Sequence, residues 1–246
     1  MAVPPGNFQQ NDTLNRYLLL FPRNANALND VHSFTGEEAL SQPYRYAIRF
    51  TSPNANISPD AVLNQKAEFL LRAPNPEASW HGQPSWLPVR QINGTITAFA
   101  RLKSSSDEAL YECVLEHELA LLDRNFRSAV YTDVTVPEVV TQLMKESRYF
   151  EGFNIDFDNL SYTYPRREMI IQWKETDLQF IRRLLAEVGI WFRLENHNTT
   201  PTETVVIFGD SASRYIISEK TFPFVRRSGM TSHDEYVTEL EERHAL

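Results

Sequence analysis

A single cysteine, Cys113, rules out an intramolecular disulfide, so cysteine usage says nothing about redox compartment. It sits in the alternating run 111–115 and is expected to be a buried small apolar residue rather than a nucleophile. With only eight glycines, none grouped as G-x-G-x-x-G or in a P-loop, no phosphate cradle is encoded. Nowhere does an apolar run approach the roughly 18 residues needed to span a membrane. The segment 1–12 is polar and lacks the apolar core of a secretory signal. No two of the six histidines (His32, His81, His117, His197, His233, His244) are four apart, so no H-E-x-x-H zinc helix exists. Metal, cofactor and catalytic residues are accordingly all expected to be none.

The net charge of −8 disfavours a polyanionic partner, and no nucleic acid is expected. Three arginine pairs, Arg166–Arg167, Arg182–Arg183 and Arg226–Arg227, interrupt the acidic balance without forming a stripe. Hydrophobic residues make up 42% and aromatics 12%, the range of a folded, β-rich globular chain rather than a disordered one.

Weaker chemical signals are each met by a simpler reading. Gly209-Asp210-Ser211 matches the opening of one family of serine hydrolases, but no Asp lies three residues before any histidine, and the triplet reads as a strand-ending turn. Asp156 and Asp158 fail as a calcium loop, because the sixth and twelfth positions from Asp156 are Ser161 and Arg167. The acidic pairs Glu37–Glu38, Glu116/Glu118 and Glu241–Glu242 are ordinary surface patterns. Trp80 and Trp86, in a proline-rich stretch, are the residues a carbohydrate-binding module would use.

Periodicity gives many strands and two clear helices. In 43–51, Tyr44, Tyr46, Ile48 and Phe50 alternate with Arg45 and Arg49, the pattern of a half-buried strand. Further strands are expected at 14–21, 31–35, 66–72, 89–102, 108–117, 190–194 and 203–208, with a surface loop over 73–88 and Ser58 capping a short helix that starts at Pro59. Thr135 with Glu138, and Thr176 with Gln179, form two capping boxes. The first opens the stripe Val136, Val139, Val140, Leu143, Met144; the second opens Ile181, Leu184, Leu185, Val188 and ends at Gly189. The expected class is β-dominated α+β.

Two segments carry a resemblance. Tyr164-Pro165-Arg166-Arg167-Glu168 is followed by Ile171-Gln172-Trp173, Glu175-Thr176-Asp177-Leu178, Phe180, Arg183-Leu184-Leu185-Ala186-Glu187 and Gly189-Ile190-Trp191-Phe192. Gly36-Glu37-Glu38-Ala39-Leu40-Ser41 leads into Pro43-Tyr44 and Tyr46, with echoes at Asn93-Gly94-Thr95 and Val136-Pro137-Glu138. In this order and spacing they resemble the VgrG (Rhs/Vgr) spike proteins of the type VI secretion system. His117-Glu118 departs from the family's Pro-Trp, and Asn125-Phe126-Arg127 is looser than its pattern.

The resemblance, which covers about 14–240, implies a structural rather than enzymatic protein. It implies a phage tail hub-like fold of two related β-barrel-like units with a few short helices. The first unit would take 14–125 plus a returning segment at about 203–240. A second, incomplete unit would take 126–202, and 1–13 would be a flexible lead-in. The implied partners are two further copies in a homotrimer, the secretion tube protein, baseplate components and effectors, with no stable membrane insertion. Assembly in the bacterial cytoplasm and export through the machine without a signal peptide are implied too. So is an N-terminal fragment, continued in the family by an oligosaccharide-binding-fold domain and a β-helical needle. A phage or phage-derived injection-system hub is the alternative with the same fold.

Overall fold

The computed structural model describes residues 15–21, 29–75, 85–200, 202–215, 221, 224, 237, 240–242 and 244. The lead-in 1–13, Trp80, His81, Arg226–Arg227 and His233 lie outside the described residues.

Six antiparallel strands form a closed barrel: β1 (Tyr17–Leu20), β2 (Asp30–Glu37), β3 (Arg45–Ser52), β4 (Lys66–Pro74), β5 (Trp86–Ser104) and β6 (Ala109–Glu116). They are ordered β1-β2-β3-β6-β5-β4, and β1 closes the ring on β4 through Leu18↔Leu70 and Leu19↔Phe69. Alternation in β3 works as the sequence predicts: Tyr46, Ile48 and Phe50 are buried inside, Arg45 and Arg49 exposed outside. Inside, Tyr111 stacks between Phe50 and Phe99, while Phe34 meets Phe69 edge-on. Cys113 is fully buried here. The 19-residue β5 pairs with β4 in its first half and with β6 in its second. Bulges at Ile96/Ala98 and Arg101/Lys103 bend it around the barrel corner. Strands β4 and β5 run into the expected loop 73–88 from both sides, as far as the pair Pro74↔Trp86. Ser58 precedes a 3-10 turn at Pro59–Ala61 but makes no side-chain cap bond.

The chain then runs through a 3-10 turn (Glu118–Asp123), β7 (Phe126–Val134), α1 (Val136–Glu146), β8 (Ile155–Asn159), β9 (Arg167–Thr176), α2 (Asp177–Glu187), β10 (Trp191–Asn196) and β11 (Thr204–Gly209). Strands β7 and β9 pair antiparallel, and β10-β11-β8 make a second sheet with β8 parallel to β11. Both helices form where the capping boxes place them, and both boxes are closed by reciprocal bonds. Their stripes share one core, with Val139, Val140, Leu143 and Met144 beside Phe180, Ile181 and Leu184, under Tyr131, Ile170, Phe192 and Phe208. Gly189, at φ +72°, ends α2 in the left-handed conformation that favours glycine.

The β-dominated α+β expectation is borne out. The expected return of the chain to the barrel from about 203 is not what β11 does. The barrel is already closed by β1 and β4 and offers no free edge, while Val206 and Phe208 are buried in the helical core. Strand β11 therefore pairs with β10 and β8.

Thr176 measures what local capping contributes. Its hydroxyl oxygen accepts from Gln179 N at 3.1 Å and donates to Asp123 at 2.5 Å, in a buried position. Thr176→Ala should cost about 1–2 kcal/mol by urea denaturation, with Thr176→Ser retaining most of it. An unchanged midpoint for the alanine variant would contradict this role.

Candidate functional site

The residues singled out for chemistry are structural in their surroundings. Burial pushes the Cys113 thiol up to about 12, with the Glu112 charge adding to it, so no thiolate is available at neutral pH. The Asp210 carboxylate of the G-D-S turn accepts from the backbone N–H of Ser161 and Tyr162, each at 2.9 Å, and from the Tyr164 hydroxyl at 3.0 Å. Burial would raise its pKa, but these bonds outweigh it and hold Asp210 below its usual value. Asp210 thus ties down the loop between β8 and β9. Asp156 and Asp158 line an open pocket of about 300 Å³ with Phe153, Glu195 and His197. Among the described residues no three His, Cys, Asp or Glu side chains are grouped as metal ligands. Trp86 is half-buried on β5.

The residues that carried the resemblance act as joints. Arg166 bonds Glu138 at the start of α1 (2.9 Å) and Asp133 at the end of β7 (3.1 Å). Arg167 reaches Glu187 at the end of α2 (2.7 Å), and Arg183 pairs with Glu175 (2.6 Å). These arginines are engaged by carboxylates within the fold. In the other motif, Gly36 lies against the Tyr46 ring, where a Cβ would come within 2.3 Å of it. Glu38 bonds both Tyr46 and Arg90. Ser41, at φ 59°, donates its N–H to Phe192 O at 2.8 Å and accepts Phe192 N–H on its hydroxyl at 3.2 Å.

Ser41–Phe192 belongs to a seam that fastens the barrel to the helical half. Asn93 and Asn196 bond at 3.1 Å, Asn196 donates to Gln91 O at 2.9 Å, and Lys66 pairs with Glu203 at 2.6 Å. At its centre are His117 and Glu118, the residues that depart from the family pattern. His117 is wholly buried, edge-on to Tyr44 and stacked near Phe150. Its Nδ1 accepts Leu119 N–H at 3.1 Å and caps the 3-10 turn, which requires the Nε2–H tautomer. Nε2 has no hydrogen-bond partner among the described residues, and Glu118 Oε2 lies 3.9 Å away. Burial lowers His117 to about 3 and raises Glu118 above the usual carboxylate value. The contact is therefore not an ion pair, since both groups are driven toward their neutral forms.

One surface escaped the sequence reading. The inner face of β7–β9 (Ala129, Tyr131, Ile170, Gln172) packs on the helical core, while Val130, Met169, Ile171 and Trp173 on the other face stand exposed, as does Phe126 at the start of β7. The available signal was the run Met169-Ile170-Ile171, apolar on consecutive positions where a strand with one wet face would alternate.

Comparison with known proteins agrees with this architecture. A family model described as the phage tail baseplate hub (GPD) matches residues 37–246. The type VI secretion system spike protein VgrG5 of Pseudomonas aeruginosa is 28% identical over 212 residues, covering 84% of this chain and 24% of that protein. VgrG3 of Vibrio cholerae, also a type VI spike protein, is 25% identical over 220 residues, covering 86% and 20%. Among solved structures, the E. coli c3393 protein superposes with a TM-score of 0.70 at 37% identity, covering 85% of this chain and 53% of that one. It is described as a type VI secretion component with structural similarity to the T4 tail proteins gp27 and gp5. The chain thus spans about a quarter of the length of the curated relatives it matches.

Proposed function

This chain belongs to the phage tail baseplate hub (GPD) family, and from that membership we propose that it is a non-catalytic hub segment of a type VI secretion spike. Three copies close into a ring at the tip of a contractile, tail-like tube. The barrel is one of two related barrel-like units per copy, and the helical half belongs to the second. The ring contacts the tube protein and baseplate components, carries effectors, and is exported through the machine after assembly in the cytoplasm.

The observation that carries this reading is the family match over 37–246. The names of VgrG5 and VgrG3, both type VI spike proteins, support its type VI form. So does the use of the motif residues Arg166, Arg167 and Ser41 as joints rather than as reactive groups. No helix among the described residues is long and apolar enough to cross a membrane. The family's own description favours a second reading, a hub of a phage or phage-derived injection system; the neighbouring genes distinguish the two.

Light scattering across a concentration series tests the ring. The expected mass is three times 28.5 kDa. A stable dimer is incompatible with threefold closure, and a monomer at every concentration overturns association through these residues.

A further inference from the structure

We propose that the exposed face of the β7–β9 sheet is the surface against which a second copy of this chain docks. The inference rests on the association of copies proposed above and says where on each copy it occurs.

The face exposes the area of an interface centre. Val130, Met169, Ile171 and Trp173 are 60%, 57%, 44% and 68% exposed on one face of one small sheet, and Phe126, at the start of β7, is 71% exposed. Val130 stands directly opposite Ile171, and Thr132 opposite Met169, so these side chains form a continuous patch. Together they show water on the order of 500 Å² of apolar surface, at the upper end for a monomer's largest patch. With a polar rim added, this approaches the roughly 800 Å² per partner of a standard interface. The composition is that of an interface centre, with Trp, Phe and Met present and no charged side chain among the five.

The strand edges are irregular. Strands β7 and β9 each carry a non-glycine residue in the left-handed region, Asp133 at φ 51° and Lys174 at φ 47°, and the ladder is bulged between Arg127 and Ala129. Such irregularities disfavour addition of another strand at the edge. A partner is therefore directed onto the face rather than along the edge. The face is flanked by opposite charges, with Lys174 over the Trp173 ring at one end and Asp133, bonded to Arg166, at the other. A copy carrying a net −8 meets its neighbour most easily through an uncharged centre. In a ring, this face meets a different surface of the next copy, as head-to-tail closure requires.

The test compares the full chain with Trp173→Glu, Val130→Glu and Trp173→Phe by sedimentation velocity, with far-UV circular dichroism and thermal melting as checks on folding. Both positions are already exposed to water, and Trp173→Phe is conservative, so the fold is expected to persist. Each glutamate variant should raise the concentration of half-association at least tenfold, and Trp173→Phe should stay near wild type. Should Trp173→Glu fail to fold, Val130→Glu carries the test. A wild-type trimer that both folded glutamate variants leave intact overturns this inference and leaves the ring standing. A wild-type monomer overturns association through these residues and, with it, this interface.

Discussion

Replacing Gly94 with alanine should disrupt the barrel. Gly94 pairs with Ala67 on β4, and the next residue, Thr95, pairs with Glu116 on β6. A Cβ at position 94 would lie 2.4 Å from the Glu116 carbonyl oxygen, 3.0 Å from its carbonyl carbon and 3.2 Å from Leu115 Cδ1. Two of those atoms are backbone, so no rotamer change relieves the clash. Strand β5 must move away from β6 where Ile96 and Leu115 are fully buried, in a closed ring whose other strands hold it in place. Overpacking costs about 1–3 kcal/mol, and a backbone clash lies at the top of that range or beyond it, against a total stability of about 5–15 kcal/mol. Gly152 supplies the control, because a Cβ there meets nothing within 4 Å. Urea denaturation should show Gly152→Ala near wild type and Gly94→Ala severely destabilised or unfolded. Equal midpoints for the two variants would refute the close approach.

What was readable in the sequence was local. A capping box closes over three residues and a helical stripe repeats every three or four, so α1 and α2 begin and end where Thr135, Thr176 and Gly189 place them. Strand β3 announces itself because one of its faces is wet. Pairing was not readable, because it is decided by distant competition. Strand β11 joins β8 in parallel through Val206↔Ile155, about fifty residues apart, and nothing in either strand specifies the other. Strand β7 also passed unnoticed: apolar Val130 lies among polar Ser128 and Thr132 on one face, and Arg127 and Asp133 flank Ala129 and Tyr131 on the other, so no period-2 contrast appears. The motifs were recognisable as a pattern but not as joints. Tyr164 finds Asp210, Arg166 finds Glu138 and Ser41 finds Phe192 only once the chain has folded. The seam centre at His117 and Glu118 was visible only as a departure from the family.

That departure builds an acid sensitivity into the seam. Folded, His117 titrates near pH 3; unfolded, it returns to about 6.5. Between these values the unfolded chain binds a proton that the folded chain refuses. The stability associated with His117 is therefore fully present above about pH 6.5 and is lost as pH falls toward 3. The limiting slope is about 1.4 kcal/mol per pH unit, and the integrated loss is on the order of 4 kcal/mol. Glu118 acts in the opposite sense. Burial raises its folded pKa, so its contribution is present at low pH and is lost as pH rises through the folded value. The side chains around the pair include Tyr44, whose own pKa is pushed up by burial, Thr204 bonded to Glu118, and the Lys66–Glu203 ion pair. Glu175, Glu187 and Asp210, all held below their usual values, also lose stability on acidification, so the wild-type curve alone does not isolate His117. His117→Asn does: it retains an acceptor for Leu119 N–H and removes the titration. Melting temperature measured from pH 7 to pH 4 should fall distinctly less in His117→Asn than in wild type, and more steeply in Glu118→Gln, where the opposing carboxylate is gone. Superimposable pH profiles for wild type and His117→Asn would mean that the imidazole is protonated in the folded chain, and that the seam's centre is wetter than its burial indicates.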